Sequence, residues 1–152
     1  MLKRTKILFF SRGDATRSLM AQGFLQSFAA DRFLVSSTAV EPGSPNPIAI
    51  DVMKEVGVDI SAQESHEVAQ VLKEHFGYVI TVCDLAKERA PIFPFTFHLL
   101  HWSVMDPAVV KGTHRQTRDA FRRVRNALES NVRFFLNGTV EKEQERGVLI
   151  YA

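Results

Sequence analysis

The chain has one cysteine, Cys83, in 152 residues. A single thiol excludes any disulfide within the chain and any zinc site built on cysteines. It fits a reducing compartment, and we expect a cytoplasmic protein. No apolar run approaches the ~18 residues of a membrane span, so no membrane association is expected. The apolar stretch near the start, Ile7-Leu8-Phe9-Phe10, is too short for a signal peptide despite the basic residues before it. Excess charge is also missing. A formal net charge of +2 is too small to argue for nucleic acid. The basic cluster from His114 to Arg125 reads as a solvated helix face. There is no G-x-G-x-x-G nucleotide fingerprint, and no internal repeat, low-complexity tract or linker.

What is present is an ordinary globular composition, 45% hydrophobic and 24% charged, with twelve phenylalanines to fill a core. The length suits one domain, taken as residues 1–152. Strand and helix patterns alternate. Residues 6–10 read as a central strand because both faces are apolar. A helix follows to about Ala30, then a strand over 33–38. Asn46 and Pro47 have the types of a helix cap and first position, opening a helix that stops at Gly57. A helical segment is expected over 65–75 and strands over 78–82 and 95–102, with a loop-like stretch over 85–94. A long helix is expected over 113–136, with Ala120, Phe121, Val124, Ala127, Leu128, Val132 and Phe135 on its apolar face and a charged tail after Gly138. The pattern predicts an α/β fold with a four-stranded parallel sheet flanked by helices. Ligands in such sheets sit beyond the carboxyl ends of strands. Ser11, Cys83-Asp84 and Asp106 all follow strands.

The stretch Ser11-Arg12-Gly13-Asp14-Ala15-Thr16-Arg17-Ser18 carries the chemistry. It turns from strand to helix, so backbone N–H groups can converge with a helix dipole behind them. Arg17 adds a planar fork suited to a tetrahedral oxyanion. A tetrahedral oxyanion such as phosphate or sulfate is the ligand class this predicts, held by residues 12–17. An ordinary strand-to-helix turn with a solvated arginine has the same outline. His98 and His101, three apart on a strand, do not share a face, so no metal pair is read there. No metal or organic cofactor is expected.

With cysteine at position 11 the stretch would read C-x5-R-S. With its flanks, including R-S-x-M-A-x-G-F-L, it resembles the phosphate loop of the low-molecular-weight protein tyrosine phosphatases and the related thioredoxin-coupled arsenate reductases. Three further stretches are similar to that family. They are S-S-T-A-V-E-P-G-S-P-N-P at 36–47, T-V-C-D at 81–84 and H-W-x-x-x-D-P-A at 101–108; M-K-E-V-G-V-D-I-S at 53–61 resembles the reductases in particular. The resemblance implies a phosphotyrosine phosphatase I-like fold. It places Ser11 at the nucleophile, Arg17 at the oxyanion-binding arginine, Asp106 at the general acid and Cys83 at the second redox cysteine, while Ala90 matches the third.

One thiol cannot complete a three-cysteine relay. Serine is also far less acidic than a thiol, whose reference pKa is about 8.5, and needs an adjacent base to act as a nucleophile. Asp14 stands where the family usually has asparagine. It can hold a left-handed backbone there, and a pairing with Arg12 or Arg17 would neutralise the pocket. Two functions fit. One is a degenerate family member, catalytically impaired, that retains an oxyanion-binding loop or acts through a protein partner. The other is an active arsenate reductase or protein tyrosine phosphatase whose cysteine was replaced by engineering. A regulatory module on the same scaffold is a third.

Overall fold

The computed structural model describes residues 4–82 and 96–146. The elements run β1 (Thr5–Asp14), α1 (Thr16–Ala29), β2 (Phe33–Glu41), α2 (Pro47–Lys54), α3 (Val68–Val71), β3 (Phe76–Thr81), β4 (Thr96–His101), a 3₁₀ turn (Pro107–Val109) and α4 (His114–Arg146). The four strands form one parallel sheet in the order β2-β1-β3-β4. Chain order thus reverses between β1 and β3, and in parallel sheets the ligand crevice opens beyond the carboxyl ends at such a reversal.

β1 is apolar on both faces because it is covered on both. Ile7 and Phe9 pack with α1, α2 and α4, whereas Leu8 packs with Val71, Phe76 and Val79 on the opposite side. Helix α1 sits against this sheet so closely that ten of its residues are buried. Asn46 caps α2 by accepting from the Ile48 amide (2.8 Å), with Pro47 at the first helical position. The helix ends through Gly57, at φ +79°, with the Val58 amide donating back to the Met53 carbonyl.

An aromatic group closes the core under α4. Phe135 meets Tyr78 edge-on at 4.9 Å, Phe33 at 5.9 Å and Trp102 at 6.5 Å, and Phe9 lies 5.7 Å from Trp102. On the outer side, ion pairs fasten α2 to α4. Glu55 accepts from Arg122 and Arg125, both at 2.7 Å, and these two guanidinium groups hold its carboxyl down at about 2.

Several elements differ from the sequence expectation. β1 continues past Phe10 to Asp14, because Asp14 still pairs with Glu41 after a register shift. The segment expected to be helical over 65–75 yields only one turn, since His66 is drawn into a bridge with Thr38 at the edge of β2. α4 runs ten residues beyond 136, as Glu, Lys, Gln and Arg are good helix formers and one glycine does not stop them. Ala127 is exposed; Arg125 is buried instead, its guanidinium reaching the Val52 carbonyl at 3.0 Å. The stretch read as a loop over 85–94 lies outside the described residues.

Candidate functional site

The carboxyl ends of β1, β3 and β4 are tied in a row. The Val82 amide donates to the Phe10 carbonyl (2.9 Å), and the Trp102 amide donates to the Thr81 carbonyl (2.7 Å). Ser11 therefore emerges beside the end of β3, at the reversal of strand order. From there the chain makes a tight passage into α1. Gly13 takes φ +77°, a left-handed conformation in which nothing lies within 4 Å of where a Cβ would be. The conformation, not space, calls for glycine there.

Ser11 is fully buried. Its hydroxyl lies 3.0 Å from the Asp14 carbonyl and 3.1 Å from the Ser18 hydroxyl, which in turn donates to the Ala15 carbonyl at 2.9 Å. Asp14 is exposed, and its carboxylate accepts from the Thr16 amide at 3.0 Å. The Asp14 group near Ser11 is thus a backbone carbonyl and not a base.

Arg17 is only 6% exposed. It donates to the Val104 carbonyl (2.9 Å) and to the Arg12 carbonyl (3.1 Å). Among the described residues neither Arg17 nor Arg12 pairs with Asp14, contrary to the sequence expectation, because the Asp14 side chain folds back onto the first amide of α1. Asp14 is not the left-handed residue of the loop either; Gly13 is, and among the described residues none other than glycine has positive φ.

The Arg17–Val104 bond also locates Asp106. One residue, Met105, separates Val104 from Asp106, a backbone span of about 7 Å at most, so the Asp106 backbone lies near the end of the Arg17 side chain. The Asp106 Oδ1 accepts from the Ala108 amide at 2.9 Å, which caps the 3₁₀ turn. Cys83 lies outside the described residues. His98 stacks on Tyr78 at 4.8 Å and His101 bonds to Thr81 and Ser103, so both imidazoles are engaged in the sheet. Among the described residues no three His, Cys, Asp or Glu side chains cluster as a metal site would require, and no helix is long and apolar enough to cross a membrane.

Two supports of the loop were not read from the sequence. The Thr16 hydroxyl accepts from the Asn46 amide (3.0 Å), joining the start of α1 to the cap of α2. The Ser37 hydroxyl reaches the Ser18 carbonyl (3.1 Å) and the Gln22 side chain (2.6 Å), joining α1 to β2. A signal existed for the second: Ser36, Ser37 and Thr38 stand in succession in β2, and the hydroxyls that become buried there, those of Ser37 and Thr38, need partners.

A four-stranded parallel sheet flanked by helices, with the first strand running directly into the first helix, is the α/β fold of the low-molecular-weight phosphatases. The chain belongs to the low molecular weight phosphotyrosine protein phosphatase family, which residues 6–146 match. It is 34% identical to an arsenate reductase of Halalkalibacterium halodurans over 134 residues, 88% of this chain and 96% of that one. It is 33% identical to an arsenate reductase of Bacillus subtilis over 129 residues, 85% of this chain and 93% of the other. Among solved structures, an arsenate reductase in the phosphate binding state superposes with a TM-score of 0.74 at 27% identity, covering 88% of this chain and 98% of that one. A tyrosine phosphatase of Erwinia amylovora shares the fold, with a TM-score of 0.68 and 20% identity over 90% of this chain and 93% of its own.

Proposed function

We propose that this protein is a catalytically impaired member of the arsenate reductase and low-molecular-weight phosphatase family, with an oxyanion-binding loop at 11–18. The observation that carries the impairment is the setting of the Ser11 hydroxyl. A serine nucleophile needs a base to take its proton, and among the described residues the groups that Ser11 touches are a carbonyl and another hydroxyl. Neither is a base at neutral pH. Full burial adds to the difficulty of any in-line attack from that oxygen.

Arg17 supports the binding half of the proposal. A guanidinium this deeply buried normally has an anionic partner, since a charge out of water is costly unless compensated. Among the described residues Arg17 has carbonyl partners and no carboxylate. A tetrahedral oxyanion at the loop would supply the missing charge. On this reading Asp106 is the carboxylate that would hold a proton near a leaving group if a nucleophile were present.

The test is hydrolysis of p-nitrophenyl phosphate and thiol-dependent reduction of arsenate by the protein and by Ser11→Ala. Neither protein is expected to turn over either substrate. Turnover by the parent that disappears in Ser11→Ala refutes the impairment. Restoration of p-nitrophenyl phosphate hydrolysis in Ser11→Cys would favour the second reading, an active enzyme deprived of its cysteine by engineering. The Ser11–Ser18 hydroxyl contact favours it too, since Ser18 is placed to serve a sulfur at position 11.

A further inference from the structure

We propose that Asp14 is an internal anion that holds the 11–18 loop closed, so that an external oxyanion must displace it in order to bind. The inference rests on the oxyanion-loop reading above and concerns the regulation of that site. The donors an oxyanion would use are already committed within the loop. The Thr16 amide, at the start of α1, donates to the Asp14 carboxylate. Arg17 donates to the Arg12 carbonyl, and the Ser11 hydroxyl lies on the Asp14 carbonyl.

Those two carbonyls have a consequence for the backbone. A peptide group is planar and trans, so its N–H points opposite to its C=O. With the Arg12 and Asp14 carbonyls turned toward Arg17 and Ser11, the amides of Gly13 and Ala15 face away from those groups. An anion held between Ser11 and Arg17 therefore meets two carbonyl oxygens where a binding loop presents N–H groups. Opening requires both peptides to rotate, and Gly13, at φ +77° and with open space around it, stands between them as the residue free to change backbone region. The Asp14 carboxylate is solvent-exposed, so it can return to water when displaced. Its charge opposes an incoming anion throughout.

The experiment is a titration of inorganic phosphate followed by backbone amide chemical shifts, on the parent protein, Asp14→Asn and Asp31→Asn. Asparagine keeps an oxygen acceptor for the Thr16 amide but removes the charge. Asp31 is exposed and lies past the far end of α1, about 20 Å along the helix from the loop, and so controls for net charge. Asp14→Asn should bind phosphate about tenfold tighter or better, with the largest shifts at Gly13, Ala15 and Thr16, and Asp31→Asn should match the parent. Equal affinity in the parent and Asp14→Asn, with those amides shifting in both, overturns the internal-anion role while the oxyanion loop stands. Absence of shifts at these amides in every protein at tens of millimolar phosphate overturns both. If Asp14→Asn does not fold, Asp14→Ala is read the same way.

Discussion

Replacing Gly13 by alanine separates backbone strain from packing at the loop. A Cβ at this position would meet nothing within 4 Å, so no clash enters. The residue sits at φ +77°, where an L side chain costs about 1–2 kcal/mol. Losing glycine's extra freedom in the unfolded chain returns about 0.4–1 kcal/mol. The net expectation is a loss of about 1 kcal/mol, which for a chain of this length lowers the melting temperature by roughly 2–4 °C. Gly138→Ala should do the opposite. It lies within α4 with nothing within 4 Å of its would-be Cβ and no left-handed φ, and alanine is favoured over glycine in a helix by about 0.5–1 kcal/mol. Calorimetric melts of the two variants beside the parent give the answer. Gly13→Asn should fall between parent and Gly13→Ala, because asparagine tolerates the left-handed region better. A Gly13→Ala protein as stable as the parent would refute the loop conformation from which both the site and the internal anion are argued.

Gly23→Ala should destabilise by about 1–3 kcal/mol in spite of its gain in helix propensity, since the new methyl would stand 2.6 Å from Ile60 Cγ2 and 3.2 Å from Val58 Cγ1; urea denaturation measures it. Phe135→Ala should cost about 3–5 kcal/mol and change the emission of the single tryptophan, because Phe135 contacts Trp102, Tyr78 and Phe33. Glu55 gives a pH signature. Its carboxyl is lowered from 4.5 to about 2 in the folded protein, so the stability it contributes is present above about 4.5 and is lost as pH falls through about 2. Glu55→Gln should therefore lower the melting temperature at neutral pH and show a shallower decline between those values, while parallel pH profiles would contradict the α2–α4 pairing.

Much of the architecture was legible from periodicity. The two-faced strand at Ile7–Phe10, the Asn46-Pro47 cap and the apolar stripe of α4 follow from local patterning, because side-chain period and capping are properties of a few neighbouring residues. The expected helix over 65–75 failed because the pull on His66 comes from Thr38, twenty-eight residues away, and no local pattern registers it. The motif spacing pointed to loop 11–18, and the single cysteine ruled out a thiol relay without any coordinates. What the residues of the loop touch was a different matter. A carboxylate two residues before a helix amide competes with every other acceptor for that N–H, and only the folded backbone shows that Asp14 takes it rather than pairing with an arginine. From its place in the motif Arg17 could be expected to face an anion. Its bond to Val104, eighty-seven residues along the chain, depends on β4 returning to the end of the sheet. Sequence thus determined which groups stand at the strand end. Tertiary structure decided that they presently satisfy one another, because hydrogen bonds between distant segments are settled by packing and not by spacing.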